Sequence, residues 1–201
     1  MSKASLLSIA LLPLALAACS MSPPPGSPTA PNGDLPLPQG GSFNTLKLQG
    51  QQIDDSYEPS DATTPETIKI EGTATYRGIA TFGQKNPDPA VLDPDAVGRV
   101  VMKTDIKTGA ITGSIYDIRD SSNTAIDGTL TIDGDITEKY LIAADVEGQL
   151  TQGNETANIL ATYDGKFYGE DAEAIMGYYT GMIDNPFFLT GPLVGFIGAE
   201  K

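Results

Sequence analysis

YLIAADVEG, residues 140–148, places Tyr140, Ile142, Ala144, Val146 and Gly148 at alternate positions, with Asp145 and Glu147 between them. Side chains of an extended strand point alternately to its two faces, so this segment has one apolar face and one wet face. A helix would scatter the same residues around its circumference. The pattern recurs in both directions along the chain. TATYRGIATF (73–82) sets Ala74, Tyr76, Gly78, Ala80 and Phe82 against Thr73, Thr75, Arg77 and Thr81. RVVMKTDI (99–106), AITGSI (110–115) and IDGTLTI (126–132) follow it; ETANILATY (155–163), EAIMGYYT (173–180) and LVGFIGA (193–199) complete the series.

Turn signals separate these runs: Lys107-Thr108-Gly109, Asp133-Gly134-Asp135 and Asp164-Gly165. Eight strands from Gly72 onward, joined by short connections, predict an all-β fold: a soluble, eight-stranded, antiparallel up-and-down β-barrel over residues 72–201. Glycines at the inward positions 78, 113, 128 and 148 suit its tight coiling. A membrane barrel of equal strand number would turn an apolar band outward. Here the outward positions carry Arg77, Arg99, Lys103, Asp105, Asp145 and Glu147. Residues 43–71 hold two shorter alternating runs, TLKLQGQQI and TIKIEG, with an acidic loop at 54–66. They predict two further strands that either lean on the barrel as a small β handle or add to its edge.

The N-terminus reads differently. Lys3 precedes an apolar run at 4–16, and Leu16-Ala17-Ala18-Cys19 ends it on the only cysteine in the chain. This order is that of a lipoprotein signal peptide, residues 1–18, cleaved before a Cys19 that carries the lipid anchor of palmitate-type acyl chains. The run is too short to span a bilayer and is interrupted by Pro13. Residues 19–42 are dominated by Pro, Ser and Gly and predict a disordered tether. Ser20 is permissive for sorting to an outer membrane.

Composition excludes several functions. The net charge of −14, from 26 acidic against 12 basic residues, repels nucleic acid and other polyanions. With Cys19 acylated no disulfide remains, so the core must supply the stability. The chain has no histidine. That removes the commonest general base and metal ligand, and the expectation is no enzyme, no metal and no cofactor.

The second half of the chain resembles the β-barrel domain shared by transferrin-binding protein B, factor H-binding protein and related surface lipoproteins. The matching stretches are Gly72 to Gly78 (GTATYRG), Ile111 to Ile115 (ITGSI), Phe167 to Glu173 (FYGEDAE) and Gly195 to Lys201 (GFIGAEK). The family pattern has two adjacent glycines after F-Y-G-x-x-A, where this chain has Met176-Gly177-Tyr178. The resemblance implies a lipid-anchored binding module at the outer membrane, with ligand contacts on variable loops. It casts the motif residues as scaffold: Gly169 for a tight turn, Ala172 for a crowded spot, Phe167 and Phe196 as filling of the barrel.

Two loops are candidates for contact. Residues 83–97 form a long connection stiffened by three X-Pro steps. Residues 181–192 carry Phe187, Phe188 and Leu189 at a hairpin tip; three large apolar residues there mark either a partner-binding site or a plug over the barrel mouth, the plug being slightly favoured. Asp117, Asp120, Asn123 and Asp127 have the composition of a calcium loop, but their spacing departs from the EF-hand order and lacks its closing Glu. A solvated hairpin is the simpler reading. The pairs Asp54-Asp55 and Asp133-Asp135 read as turn residues rather than acid–base partners. The functional expectation is an outer-membrane, lipid-anchored, cell-surface module that captures a protein or small solute. The alternative is a structural or envelope-maintenance lipoprotein without a dedicated ligand.

Overall fold

In the computed structural model, which describes residues 40–57, 62–63, 72–83, 93–184 and 191–201, eight strands close into an antiparallel barrel. They are β1 (Thr73–Phe82), β2 (Ala96–Asp105), β3 (Ala110–Asp120) and β4 (Ala125–Ile136), then β5 (Leu141–Gln152), β6 (Glu155–Tyr168), β7 (Ala174–Asp184) and β8 (Gly191–Glu200). Each pairs with the next, and β1 pairs with β8. The alternation read from sequence is the inward set: Ile142, Ala144 and Val146 of β5 join Tyr76, Ala80 and Phe82 of β1 in one core.

Several strands outrun their expected ends. Asp133-Gly134-Asp135 and Asp164-Gly165 are not turns; they lie inside β4 and β6. Their glycines answer crowding: a Cβ on Gly134 would meet the Ala143 carbonyl oxygen of the next strand at 2.3 Å, and one on Gly165 the Tyr163 phenol oxygen of its own strand at 2.5 Å. The real turns fall at Thr137 to Tyr140 and at Gly169 to Glu173. Gly169 (φ 85) and the fully buried Ala172 occupy that second turn, as the family motif implies.

The first expected handle strand, TLKLQGQQI (45–53), is part of a helix, α1 (Phe43–Tyr57). The alternation there amounts to Leu46 and Leu48 alone, whereas Phe43, Leu46, Gly50 and Ile53 recur at helical spacing and are the buried face. Leu48 is exposed. Ser42 caps the helix: its hydroxyl accepts from Thr45 N at 3.2 Å and its carbonyl from Leu46 N at 3.0 Å. The second expected handle strand, TIKIEG, lies outside the described residues except for its last residue, Gly72.

α1 lies across β1, β2 and β8, so their outer face is not wet as the alternation predicts. Ile79 and Val97 point outward and pack with Phe43 and Leu46. Gly50 allows this approach, since a Cβ there would stand 3.3 Å from Ile79. Phe196, expected inside the barrel, is outside it. Leu193, Ile197 and Ala199 take the inward positions of β8, and alternation turns Phe196 toward Ile53 and Met176 beneath the helix. Phe167 is inside, its ring 6.1 Å from that of Tyr76.

The β1–β8 closure is the sparsest seam, with four registered pairs from Arg77↔Glu200 to Ala80↔Ile197. Beyond them side chains replace the ladder. Thr81 Oγ1 accepts from Phe196 N at 3.1 Å, and the Tyr179 hydroxyl donates to the Thr81 carbonyl. Gly83 and Val194 then resume backbone bonding, at 2.9 Å in both directions. Burial pushes the Tyr179 phenol well above its ordinary range, so it stays a donor through alkaline pH.

Gly78 sits at the tightest point of this seam, where a Cβ would stand 1.9 Å from the Gly198 carbonyl oxygen. We expect Gly78→Val to cost about 3 kcal/mol or more, read as a fall in Tm of roughly 6–12 °C. Gly191→Ala is the control, because nothing lies within 4 Å of its Cβ position. Tyr179→Phe, which strands the buried Thr81 carbonyl, is expected to cost about 1–3 kcal/mol.

Candidate functional site

The two ends of the barrel differ. One is filled: the Tyr76 and Phe167 rings sit beneath the Gly169 to Glu173 turn, and the Tyr76 hydroxyl donates to the Ala172 carbonyl at 2.9 Å. At the other end, where β1 leaves toward β2 and β7 toward β8, a cavity of about 120 Å3 opens. Phe82, Ile118, Ile126, Leu150, Ile159 and Leu193 line it, with Ala96 and Ala157 leaving the space.

Polar groups stand at this rim and are tied to one another. Asp120 Oδ1 accepts from Ser122 N at 2.9 Å and Thr124 N at 2.8 Å, while its Oδ2 accepts from Gln152 Nε2 at 2.7 Å. One carboxylate thus shapes the β3–β4 turn and joins it to β5. Burial pulls the Asp120 pKa upward, but the hydrogen bonds from Thr124, Gln152 and Ser122 outweigh it and hold the group below its ordinary range. Ser121 N donates to the Asp95 carbonyl at 3.0 Å, so the end of the β1–β2 connection joins the same assembly.

The start of α1 is fastened here too. Phe43 N donates to Asn123 Oδ1 at 2.8 Å, and Gly40 N to Asp117 Oδ2 at 3.0 Å. Asp117 has φ 48, within a register shift of β3, and lies 3.4 Å from Arg99 Nε and 3.3 Å from Arg119. Arg99 also donates to the Gly40 carbonyl. The oxygens that read as a calcium set therefore serve these donors, and Asp127 stands apart on β4. Among the described residues no three His, Cys, Asp or Glu converge on one point.

A second recess, of about 560 Å3, runs between α1 and the barrel wall, with Gln49, Gln52, Arg77, Arg99 and Tyr116 along it. Burial raises the Tyr116 pKa against the opposing pull of Arg99 and Arg77. Reading α1 as a strand hid this recess. The rim cavity was hidden for another reason: its lining comes from strands far apart in sequence, and the only local sign is an alanine, at 96 and 157, where neighbouring strands carry larger residues. Cys19 and the hairpin tip with Phe187, Phe188 and Leu189 lie outside the described residues, as does most of loop 83–97.

The barrel is thus closed by eight strands and braced by a helix, with one filled end and one cupped end whose rim groups are joined to each other. Residues 68–200 match the family model of the C-lobe and N-lobe β-barrels of Tf-binding protein B, and the chain belongs to that family. Among curated proteins there is no match.

The Asp120 assembly has a pH signature. A carboxylate whose pKa is depressed in the folded state contributes stability above its unfolded value of about 3.9 and loses it as pH falls through the folded value. We expect the protection of the Ser122 and Thr124 amides, measured relative to the unstructured exchange rate at the same pH, to fall below about pH 4. In Asp120→Asn exchange is faster at neutral pH, and the acid step attributable to this residue disappears.

Proposed function

We propose that this chain is an outer-membrane lipoprotein, held by an acylated Cys19, that captures a protein ligand at the cupped end of its barrel. The observation that carries this reading is the size and lining of the rim cavity. Small-molecule sites occupy about 300–1,000 Å3, whereas about 120 Å3 of apolar space suits one ring or one aliphatic side chain. An anchor of that kind, seated in a pocket within a larger contact, is how protein interfaces concentrate their energy. Phe187, Phe188 and Leu189 belong to the connection leaving this rim, and in this reading they extend the contact around the inserted side chain. Family membership supports a binding role, and the signal-peptide order supports the anchor.

Two measurements test it. Cys19→Ser is expected to lose incorporation of labelled palmitate and to release the protein from the membrane fraction. For capture, the full chain is displayed on intact cells and the retained partner quantified. Ala157→Phe, which fills the cavity, and Phe187→Ser with Phe188→Ser are each expected to weaken retention about 10- to 100-fold, the value of one buried apolar side chain, with Tm little changed. Undiminished retention by a folded Ala157→Phe chain would remove the cavity from the account.

A further inference from the structure

The barrel has a second surface on the outer faces of β4 to β7, which turn away from the cavity at the rim. Outward positions of β4, β5, β6 and β7 are aligned by the strand register. Leu160 stands directly across from Met182, which stands across from Pro192. Leu160 is 64% exposed and Met182 54%, and Tyr178 lies exposed further along β7. Leu160, Met182 and Pro192, aligned across three strands, form a contiguous apolar stripe in water.

Carboxylates border it. Glu147 is opposite Leu160, and Asp145 is opposite Thr162 in the next row. Asp164 faces Tyr178, and Asp184 closes β7 beside Asn158. Asp133 and Asp145 are themselves direct cross-strand partners. Like charges so placed destabilise a sheet. Lys166 is the one basic residue on β4 to β7, and none of these carboxylates forms an ion pair among the described residues. The described ion pairs involving arginine lie instead on β2 and β3.

We infer that the β4–β7 wall docks a protein whose contacting surface carries Arg or Lys around an apolar centre. Charge complementarity selects this occupant. An anionic lipid surface is repelled, and a second copy of the chain would bring the same carboxylates against themselves. A basic partner relieves the Asp133–Asp145 repulsion while covering Leu160 and Met182. The contact forms in water at the edge of an apolar stripe, so added salt weakens it.

The experiment places the photo-crosslinking residue p-benzoylphenylalanine at position 160 of the full lipidated chain in cells, with position 103 on β2 as the control site. The expected result is an adduct from 160 and none from 103, to a polypeptide whose crosslinked surface is basic. Asp145→Lys with Glu147→Lys should reduce it at least tenfold. Asp133→Asn should raise Tm by about 1–3 °C while reducing the adduct. Ala157→Phe should leave it intact, which separates this wall from the rim cavity. No adduct, an adduct to a second copy, or an adduct indifferent to charge reversal in a chain that remains folded overturns the inference.

Discussion

Everything in this molecule depends on closing β1 against β8. The other seven strand pairs join neighbours in sequence through short or single connections; this one brings together the two ends of the barrel sequence, and it has the fewest registered pairs. Long-range pairing costs chain entropy before it returns contacts, so a sparse seam needs support from outside its own ladder. Two devices supply it. Thr81 and Tyr179 provide hydrogen bonds where backbone bonds lapse. The helix then roofs the seam with Phe43, Leu46 and Ile53 set on Ile79, Val97 and Phe196. Gly78 lets the two strands approach, and Gly198 leaves room beneath the helix for the Phe196 ring and Ile53.

Bracing one wall leaves the barrel asymmetric. The helical wall gathers Arg77, Arg99 and Arg119, while the bare wall carries carboxylates and the exposed Leu160 and Met182. The ends differ as well, because aromatic residues fill one and alanines leave space at the other. The N-terminal end of α1 is fastened at the cupped end through Asn123 and Asp117. One set of side chains therefore fixes both the roof over the seam and the turns around the cavity.

Period-2 alternation made the eight strands legible, since each buries one face in a common core. It failed where a second layer covers the outside. Ile79 and Val97 are outward and buried, and Phe196 sits under a helix, because alternation reports which residues share a face and not what lies against that face. The helix was misread because Leu46 and Leu48 supply a two-residue alternation that competes with Phe43, Leu46 and Ile53. Glycine misled in another way: Gly134 and Gly165 mark close contact inside long strands rather than turns. Of the candidate site, Asp120 and Asn123 were visible as residues but not in their roles, which depend on Gln152 and Phe43 far along the chain.

Native-state hydrogen exchange on the full chain, with Leu46→Ala and Ile53→Ala in α1, tests the closure account most directly. The predicted result is a selective loss of protection at Arg77, Ile79, Phe196 and Gly198, whose amides face across the seam, with the β4–β6 amides protected as before. Equal loss across all strands, or unchanged protection at the seam, would contradict it.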